Sequence, residues 1–324
     1  MHSEVIFKNK PEDFFKIFLG TFLALFLIQI PSVLNSTIFL FLTVYLLDGG
    51  HVYSTLLEVL FDKSEVQKKY VSIVLLGSFL LNFIIHYFFK NLFFFYLFYF
   101  TVFHNMRQGL GLTFLYRIGK NQNPNLIKFF YYFLTLVPFF IFHLRGPVLE
   151  RNLTGDILMP YYLNNLFSQY HIHTLTQGSI YFYFFIVAFG FIYLYLKKNT
   201  SGLMSLAFFA GVYSYAFLLS TNELKSYVIL IFSHAIPYYF LMEKRVKLTH
   251  VSEYVRTHAW LFLLILFFVG GFIDYYQDDV VGYFFPFDSL VTAFLLTPLI
   301  AHFIFDAIIW KRGNSRFQEF VKNT

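Results

Sequence analysis

The stretch Val44–Phe61, VYLLDGGHVYSTLLEVLF, decides how the chain is read. Most of it is apolar enough for lipid. Yet it carries Asp48, the pair Gly49–Gly50, His51, Thr55 and Glu58. An ionisable side chain in the hydrocarbon core costs roughly 2.5–3.5 kcal/mol on insertion scales, so it faces a bundle interior and has a partner or a task. Asp48, His51, Thr55 and Glu58 fall at i, i+3, i+7 and i+10, which puts all four on one face of a helix. The glycine pair between them suits either close helix packing or a local break.

The composition sets this stretch in a membrane. The chain has 324 residues, 58% hydrophobic and 13% charged, where a soluble domain carries about 25% charged residues. The expected fold is all-α: a polytopic transmembrane helical bundle forming a single domain over residues 1–324. At roughly 20 apolar residues per crossing, about ten spans are expected. They lie near 13–30, 33–60, 70–89, 91–116, 125–143, 178–196, 202–220, 224–243, 257–273 and 288–310. The 49 Phe and 25 Tyr fill lipid-facing surfaces and headgroup belts. There is no cysteine, which excludes disulfides, iron–sulfur clusters and thiolate-held metals. Nothing resembles a basic arm for nucleic acid. The first apolar run lacks a small-residue cleavage signal and is read as a retained span.

Lysine and arginine fix the orientation. Lys8, Lys10 and Lys16 precede the first span; Lys63, Lys68 and Lys69 follow the second; Arg117 and Lys120 follow the fourth. Lys197 and Lys198 follow the sixth, Lys244, Arg245 and Lys247 the eighth, and Lys311, Arg312 and Arg316 the tenth. The turn after the ninth holds Asp274, Asp278, Asp279 and Asp288 instead. The positive-inside rule then places both termini in the cytoplasm, in what reads as a bacterial inner membrane. The longest loop, about 144–177, faces outward and contains His171 and His173, whose spacing is strand-like. These two, with His86 and His143, are read as interfacial histidines.

Three further spans carry polar faces. FHNMRQGLG supplies His104, Arg107 and Gln108; FSHAIPYYF supplies His234 and Tyr238; AHFIFDAIIWK supplies His302 and Asp306. At 1.5 Å per residue, His234 and His302 sit on the order of 12–14 Å from the cytoplasmic boundary and His104 ~18 Å. Asp48 and His51 share that depth. The set His51, His104, His234 and His302 with Asp48 and Asp306 therefore reads as ligands for a divalent metal, iron favoured and zinc the alternative. Asp48 and Asp306 serve as ligands or as groups that orient a ligand. Arg107, expected as a buried guanidinium, wants an anion: an internal carboxylate or a substrate. Tyr238, one turn from His234, is a proton or hydrogen-bond donor.

DGGHVYSTL, FHNMRQGLGL, SHAIPYYFL and HFIFDAIIWK resemble motifs of a bacterial multi-pass membrane family, summarised as DxxH, HxxRQ, HxxPY and HxxxD. In general style the chain is also similar to histidine-ligated membrane enzymes such as the bacterial carotenoid-cleaving dioxygenases, whose histidines are likewise scattered over helices. The expected function is a membrane-embedded metal-dependent enzyme. An iron oxygenase or oxidoreductase, with an electron donor as partner, would act on a membrane lipid or isoprenoid. Asp48, Asp306, Tyr238 and Arg107 are the catalytic candidates. One alternative is a zinc-dependent lipid hydrolase with Asp48 or Asp306 as general base. Another is a transporter or proton-coupled channel that uses the same buried charges. Against that last reading, no internal repeat relates the halves of the chain.

Overall fold

The computed structural model describes residues 6–7, 9–61, 65–115, 124–145, 169–198, 200–220, 222–248 and 252–310. The described chain is all-helical. An N-terminal run Lys10–Asp13, Phe14–Leu19 and Gly20–Leu27 is followed by Pro31–Leu34, Thr37–Leu40 and Phe41–Gly49. Longer helices follow: α1 Gly50–Phe61, α2 Glu65–Phe88, α3 Lys90–Leu115, α4 Pro124–Arg145 and α5 Gln169–Leu196. Then come α6 Thr200–Ser214, α7 Glu223–Leu248, α8 Ala259–Tyr283 and α9 Asp288–Ile309.

Local chemistry explains several of these boundaries. Asn9 caps the first turn by accepting from the Glu12 N–H at 2.8 Å. The buried Asp13 carboxylate accepts the backbone N–H groups of Ile6 at 2.8 Å and Phe7 at 2.7 Å, which folds the N-terminal segment onto the helix. Pro31 starts a new turn where its missing N–H is not needed. Ser36 restarts the helix by accepting from the Phe39 N–H at 3.4 Å. Phe41–Gly49 is then wound as a π-helix that runs directly into α1. Such wide turns are uncommon and are frequent at functional sites.

Among the described residues, six helices are long and apolar enough to cross a membrane: Tyr70–Phe88, Asn125–Leu144, His173–Leu196, Leu224–Lys247, Ala259–Tyr283 and Asp288–Ile309. The chain has the character of a membrane protein. Two boundaries differ from the sequence reading. Helix α5 begins at Gln169, so His171 and His173 are helical and exposed rather than strand-like. No proline interrupts Gln169–Leu196, and the run propagates to its polar end. Helix α8 likewise continues to Tyr283, so Asp274, Asp278 and Asp279 lie inside a helix and not in a turn. Residues 146–168 of the expected outer loop lie outside the described residues, as do Lys8, Lys63, Arg117, Lys120, Lys311, Arg312 and Arg316. Of Glu58 only the helical backbone is described.

The chain divides into two compact units, Met1–Ile28 with Thr101–Ser233 and Gln29–Phe100 with His234–Thr324. In the first unit, α4 packs against α5 and α6. Leu134, Ile141, Tyr183, Leu194, Leu206 and Ala210 form its core. The Tyr183 hydroxyl donates to the Leu134 carbonyl at 3.3 Å and lies 2.8 Å from Ser214 Oγ.

Gly109 makes room in this unit for the Tyr131 ring. A Cβ there would collide with the Tyr131 hydroxyl and lie 2.8 Å from Phe209 Cε1. The Tyr131 hydroxyl is buried and has no hydrogen-bond partner in the structure. Removing an unsatisfied buried hydroxyl is close to neutral. Gly109→Ala is therefore expected to destabilise by about 1–3 kcal/mol, the usual cost of overpacking. Tyr131→Phe is expected to be neutral on its own and to recover part of that loss in the double variant, as read by thermal unfolding in detergent.

In the second unit, α8 lies along Phe41–Gly49 and α1, while α9 packs against α1 and α2. Two glycine pairs make the first of these contacts possible. A Cβ on Gly49 would sit 2.8 Å from Asp274 Cβ, and one on Gly50 would sit 2.7 Å from Phe267 Cα. From the other side, a Cβ on Gly270 would sit 2.9 Å from the Gly49 carbonyl, and one on Gly271 would sit 2.6 Å from Leu46 Cα. Close packing is thus the role of Gly49–Gly50 in the opening stretch.

Candidate metal centre

Three helices of the second unit each present a histidine and, one turn later, an oxygen-bearing side chain. These pairs are His51 and Thr55 on α1, His234 and Tyr238 on α7, and His302 and Asp306 on α9. The i, i+4 spacing stacks them on one face of each helix. The result is two adjacent layers, one of imidazoles and one of oxygens. All six side chains are buried.

In the imidazole layer, His51 stands edge-on to both neighbours. Its ring centroid is 4.5 Å from that of His234 at an interplanar angle of 88°, and 5.1 Å from that of His302 at 86°. His51 Nε2 and His234 Nε2 face each other at 2.8 Å. Each of the three histidines offers a ring nitrogen within 4.8 Å of the others, a separation at which one ion can bind all three. Asp48, one turn before His51, holds a carboxylate oxygen 3.4 Å from His51 Nδ1. This is the carboxylate–histidine arrangement that keeps a proton on Nδ1 and turns the Nε2 lone pair toward an ion.

In the oxygen layer, Thr55 is the hub. Its Oγ1 lies 2.6 Å from the Tyr238 hydroxyl, 2.6 Å from His302 Nδ1 and 3.4 Å from Asp306 Oδ1. Tyr238 donates to Asp306 Oδ1 in a short hydrogen bond. With Asp306 ionised, one ordering satisfies the close contacts. Tyr238 gives its proton to Asp306, Thr55 gives its proton to Tyr238, and His302 Nδ1–H donates to Thr55. The chain of donors fixes the His302 tautomer and makes Nε2 its basic nitrogen.

Pro237, between His234 and Tyr238, lies inside α7 and cannot donate to the Ser233 carbonyl. Pro298 lies one turn before His302 inside α9. Both proline-bearing turns therefore lead into the imidazole layer.

The second unit thus brings together Asp48, His51, Tyr238, His234, His302 and Asp306, six of the eight residues singled out by sequence. His104 and Arg107 belong to the first unit. His104 is buried on α3. Arg107 is exposed and donates to the Tyr132 hydroxyl at 3.2 Å, so the buried guanidinium expected from the sequence is not found.

The buried arginine is instead Arg245, 1% exposed, with its guanidinium 4.9 Å from the centre of the Trp310 ring. In the sequence it reads as one more basic residue of a cytoplasmic loop. Thr55 was visible on the polar face of its helix, but its hub role was not. The signal for that role is the shared register HxxxT, HxxxY and HxxxD on three separate helices. Comparison with protein-family models, with curated proteins and with solved structures returns no match for this chain.

Proposed function

We propose that this protein is a polytopic membrane metalloenzyme of about ten spans with both termini cytoplasmic. Its ion is held by His51, His234 and His302 and positioned by Asp48, Thr55, Tyr238 and Asp306. The observation that carries this reading is the donor chain His302–Thr55–Tyr238–Asp306. A buried network that commits one imidazole nitrogen to a hydrogen bond and leaves the other basic is the arrangement of a ligating histidine. The absence of cysteine and the imidazole-rich donor set suit iron or zinc.

Iron is the favoured ion, held by His51, His234 and His302 with Asp306 one turn from His302. Imidazoles beside a carboxylate are a donor set that suits it. When bound, iron would supply oxygen-dependent oxidation, with an electron donor as partner. Tyr238 and Asp306 would hold a proton beside the site. The substrate class is a membrane lipid or isoprenoid, because α9, which carries His302 and Asp306, presents Phe294, Ile304 and Ile308 outward and gives an apolar molecule a lateral approach from the bilayer. In the zinc alternative, the same three imidazoles leave a fourth position for a water that attacks a lipid ester or amide.

One observation favours a second reading. Direct contacts run from His51 and His234 through His302 and Thr55 to Tyr238 and Asp306, and such a chain can also pass protons in a transporter or channel. Elemental analysis of the purified protein separates the readings. Iron supports the oxygenase and zinc the hydrolase. A metal-free protein with proton-coupled transport sinks both enzyme readings.

A test specific to the network is Thr55→Val. The substitution keeps the shape of the side chain and deletes the hydroxyl that joins His302 to Tyr238 and Asp306. Metal affinity is expected to fall by about 10–100-fold, the usual effect of losing a group that orients a ligand. Competition with a calibrated chelator measures it. Unchanged affinity would mean that Thr55 is only packing.

A further inference from the structure

Helix α9 packs against α2, and two contacts fix the register of the pair as antiparallel. At one end, His86 Nδ1 of α2 lies 2.9 Å from Ser289 Oγ of α9. At the other, Val71 and Val74 of α2 cluster with Ala301 and Phe305 of α9. This register brings Asn82 level with Ala293 and Ser78 level with Thr297. The spacings agree. Ser78, Asn82 and His86 fall at i, i+4 and i+8 on α2, and Ser289, Ala293 and Thr297 do the same on α9. A polar seam therefore runs for about 12 Å between two helices that are each long and apolar enough to cross a membrane.

Two members of the seam are polar groups in a place that demands partners. Ser78 and Asn82 are both 0% exposed. Ser78 Oγ, Asn82 Oδ1 and Asn82 Nδ2 have no hydrogen-bond partner among the described residues. Ser78 does not make even the bond to its own helix that Thr297 makes, whose hydroxyl donates to the Ala293 carbonyl at 2.7 Å. Buried amides and hydroxyls without partners are strongly disfavoured, and ordered water is the usual remedy. Such a water needs about two to four polar neighbours. Asn82, Ser78 and the Thr297 oxygen supply them within one helical turn. Pro298 adds an acceptor, because it cannot donate to the Phe294 carbonyl. The two ends of the seam differ in character. At the His86 end, Lys90 Nζ pairs with Asp288 Oδ2 at 2.5 Å, and the Lys90 side chain is 62% exposed. Asp288 in turn accepts from the Ser289 N–H at 2.7 Å. At the opposite end, Val59, Val71, Ala301, Phe305 and Ile309 form a closed apolar cluster.

We infer that Ser78, Asn82 and His86 of α2, with Ser289 and Thr297 of α9, form a one-sided water inlet into the second unit. Water enters beside Lys90 and Asp288, is held by the Asn82 amide and the Ser78 hydroxyl, and stops against the apolar cluster. The inlet ends at Thr297, about 7.5 Å along α9 from His302. Its existence does not depend on a bound ion. Its purpose, to bring water and protons to the turn before the imidazole layer, rests on the metal-site reading above. The sidedness follows from the residues, since polar side chains occupy only the half of the seam that leads to Lys90 and Asp288.

The test exploits the absence of cysteine from the chain. A single introduced thiol gives the only S–H vibration in the infrared spectrum, and its conversion to S–D in D2O reports contact with water. The full chain is used, in lipid vesicles. Ser78→Cys is nearly isosteric and is expected to lose its S–H band in D2O. Val71→Cys, in the apolar cluster, is expected to keep its band over the same time. Asn82→Leu fills the middle of the seam with an apolar side chain of similar size. In the Ser78→Cys/Asn82→Leu double variant the S–H band is therefore expected to persist. A Ser78→Cys thiol protected as long as that of Val71→Cys overturns the inlet. Exchange that continues unchanged in the double variant also overturns it, because water then reaches Ser78 by another way. Helical content equal to wild type by circular dichroism shows that exchange does not come from unfolding. Metal analysis of the same samples separates the two readings: exchange at Ser78→Cys in a protein that binds no metal supports the inlet and removes the metal site.

Discussion

Replacing His234 with alanine is expected to empty the metal site while leaving the helices in place. His234 meets His51 Nε2 to Nε2 at 2.8 Å and is one of three imidazoles whose ligand atoms converge within 4.8 Å. Losing an orienting group costs about 10–100-fold in metal affinity, and losing a ligand costs at least the upper end of that range. His302→Ala is expected to behave alike, with an added effect. It also removes the donor to Thr55, so the Tyr238–Asp306 pair loses the imidazole that closes its network. Metal content after gel filtration measures both variants. His171→Ala is the control, since that histidine is exposed on α5. A His234→Ala protein that keeps its full metal content contradicts the assignment.

The largest effect on stability is expected at the glycine crossing. Gly50→Ala places a methyl 2.7 Å from Phe267 Cα and 2.8 Å from the Phe267 carbonyl oxygen. Gly271→Ala places one 2.6 Å from Leu46 Cα. These neighbours are backbone atoms, so the clash cannot be relieved by a rotamer change, and the two helices must separate. Overpacking typically costs about 1–3 kcal/mol. With backbone on the receiving side, each variant is expected to lose about 3 kcal/mol, measured by denaturant unfolding in mixed micelles. The separation also carries Asp48 and His51 away from α7 and α9, so metal affinity should fall together with stability. Gly77→Ala is the neutral comparison, because nothing lies within 4 Å of a Cβ built there. If Gly50→Ala matched Gly77→Ala, the crossing would not be close-packed.

The sequence exposed some layers of this account and concealed others for physical reasons. The helical class follows from composition, since lipid leaves the backbone no other open solution without a closed barrel. The polar residues of the second unit were legible one helix at a time, because buried charge is conspicuous against Phe and Leu. What linear spacing cannot supply is which helices adjoin. Depth alone grouped His104 with His51, His234 and His302; of the four, His51, His234 and His302 lie together in the second unit.

Burial was hard to read at the ends of the helices. Arg245 looks like a loop charge beside Lys244 and Lys247, yet it is buried. A long α7 carries it past the apolar run, where hydropathy gives no guidance. Asp274 was misplaced for the same reason. The acidic residues after Phe272 suggested a turn, but no proline or left-handed residue stops the helix before Tyr283. The Gly49–Gly50 and Gly270–Gly271 pairs carry the most information that a single sequence hides. Each looks permissive alone, and only their juxtaposition shows that the fold depends on both.

X-ray absorption of the metal-loaded wild-type protein tests the central claim most directly. It reports the number and type of atoms bound to the ion without requiring a substrate. The expected result is an ion with three imidazole nitrogens at about 2.0–2.2 Å and oxygen in its remaining positions, and a loss of imidazole scattering in His302→Ala. An ion bound only by oxygens, or a wild-type protein that holds no metal after loading, would contradict it.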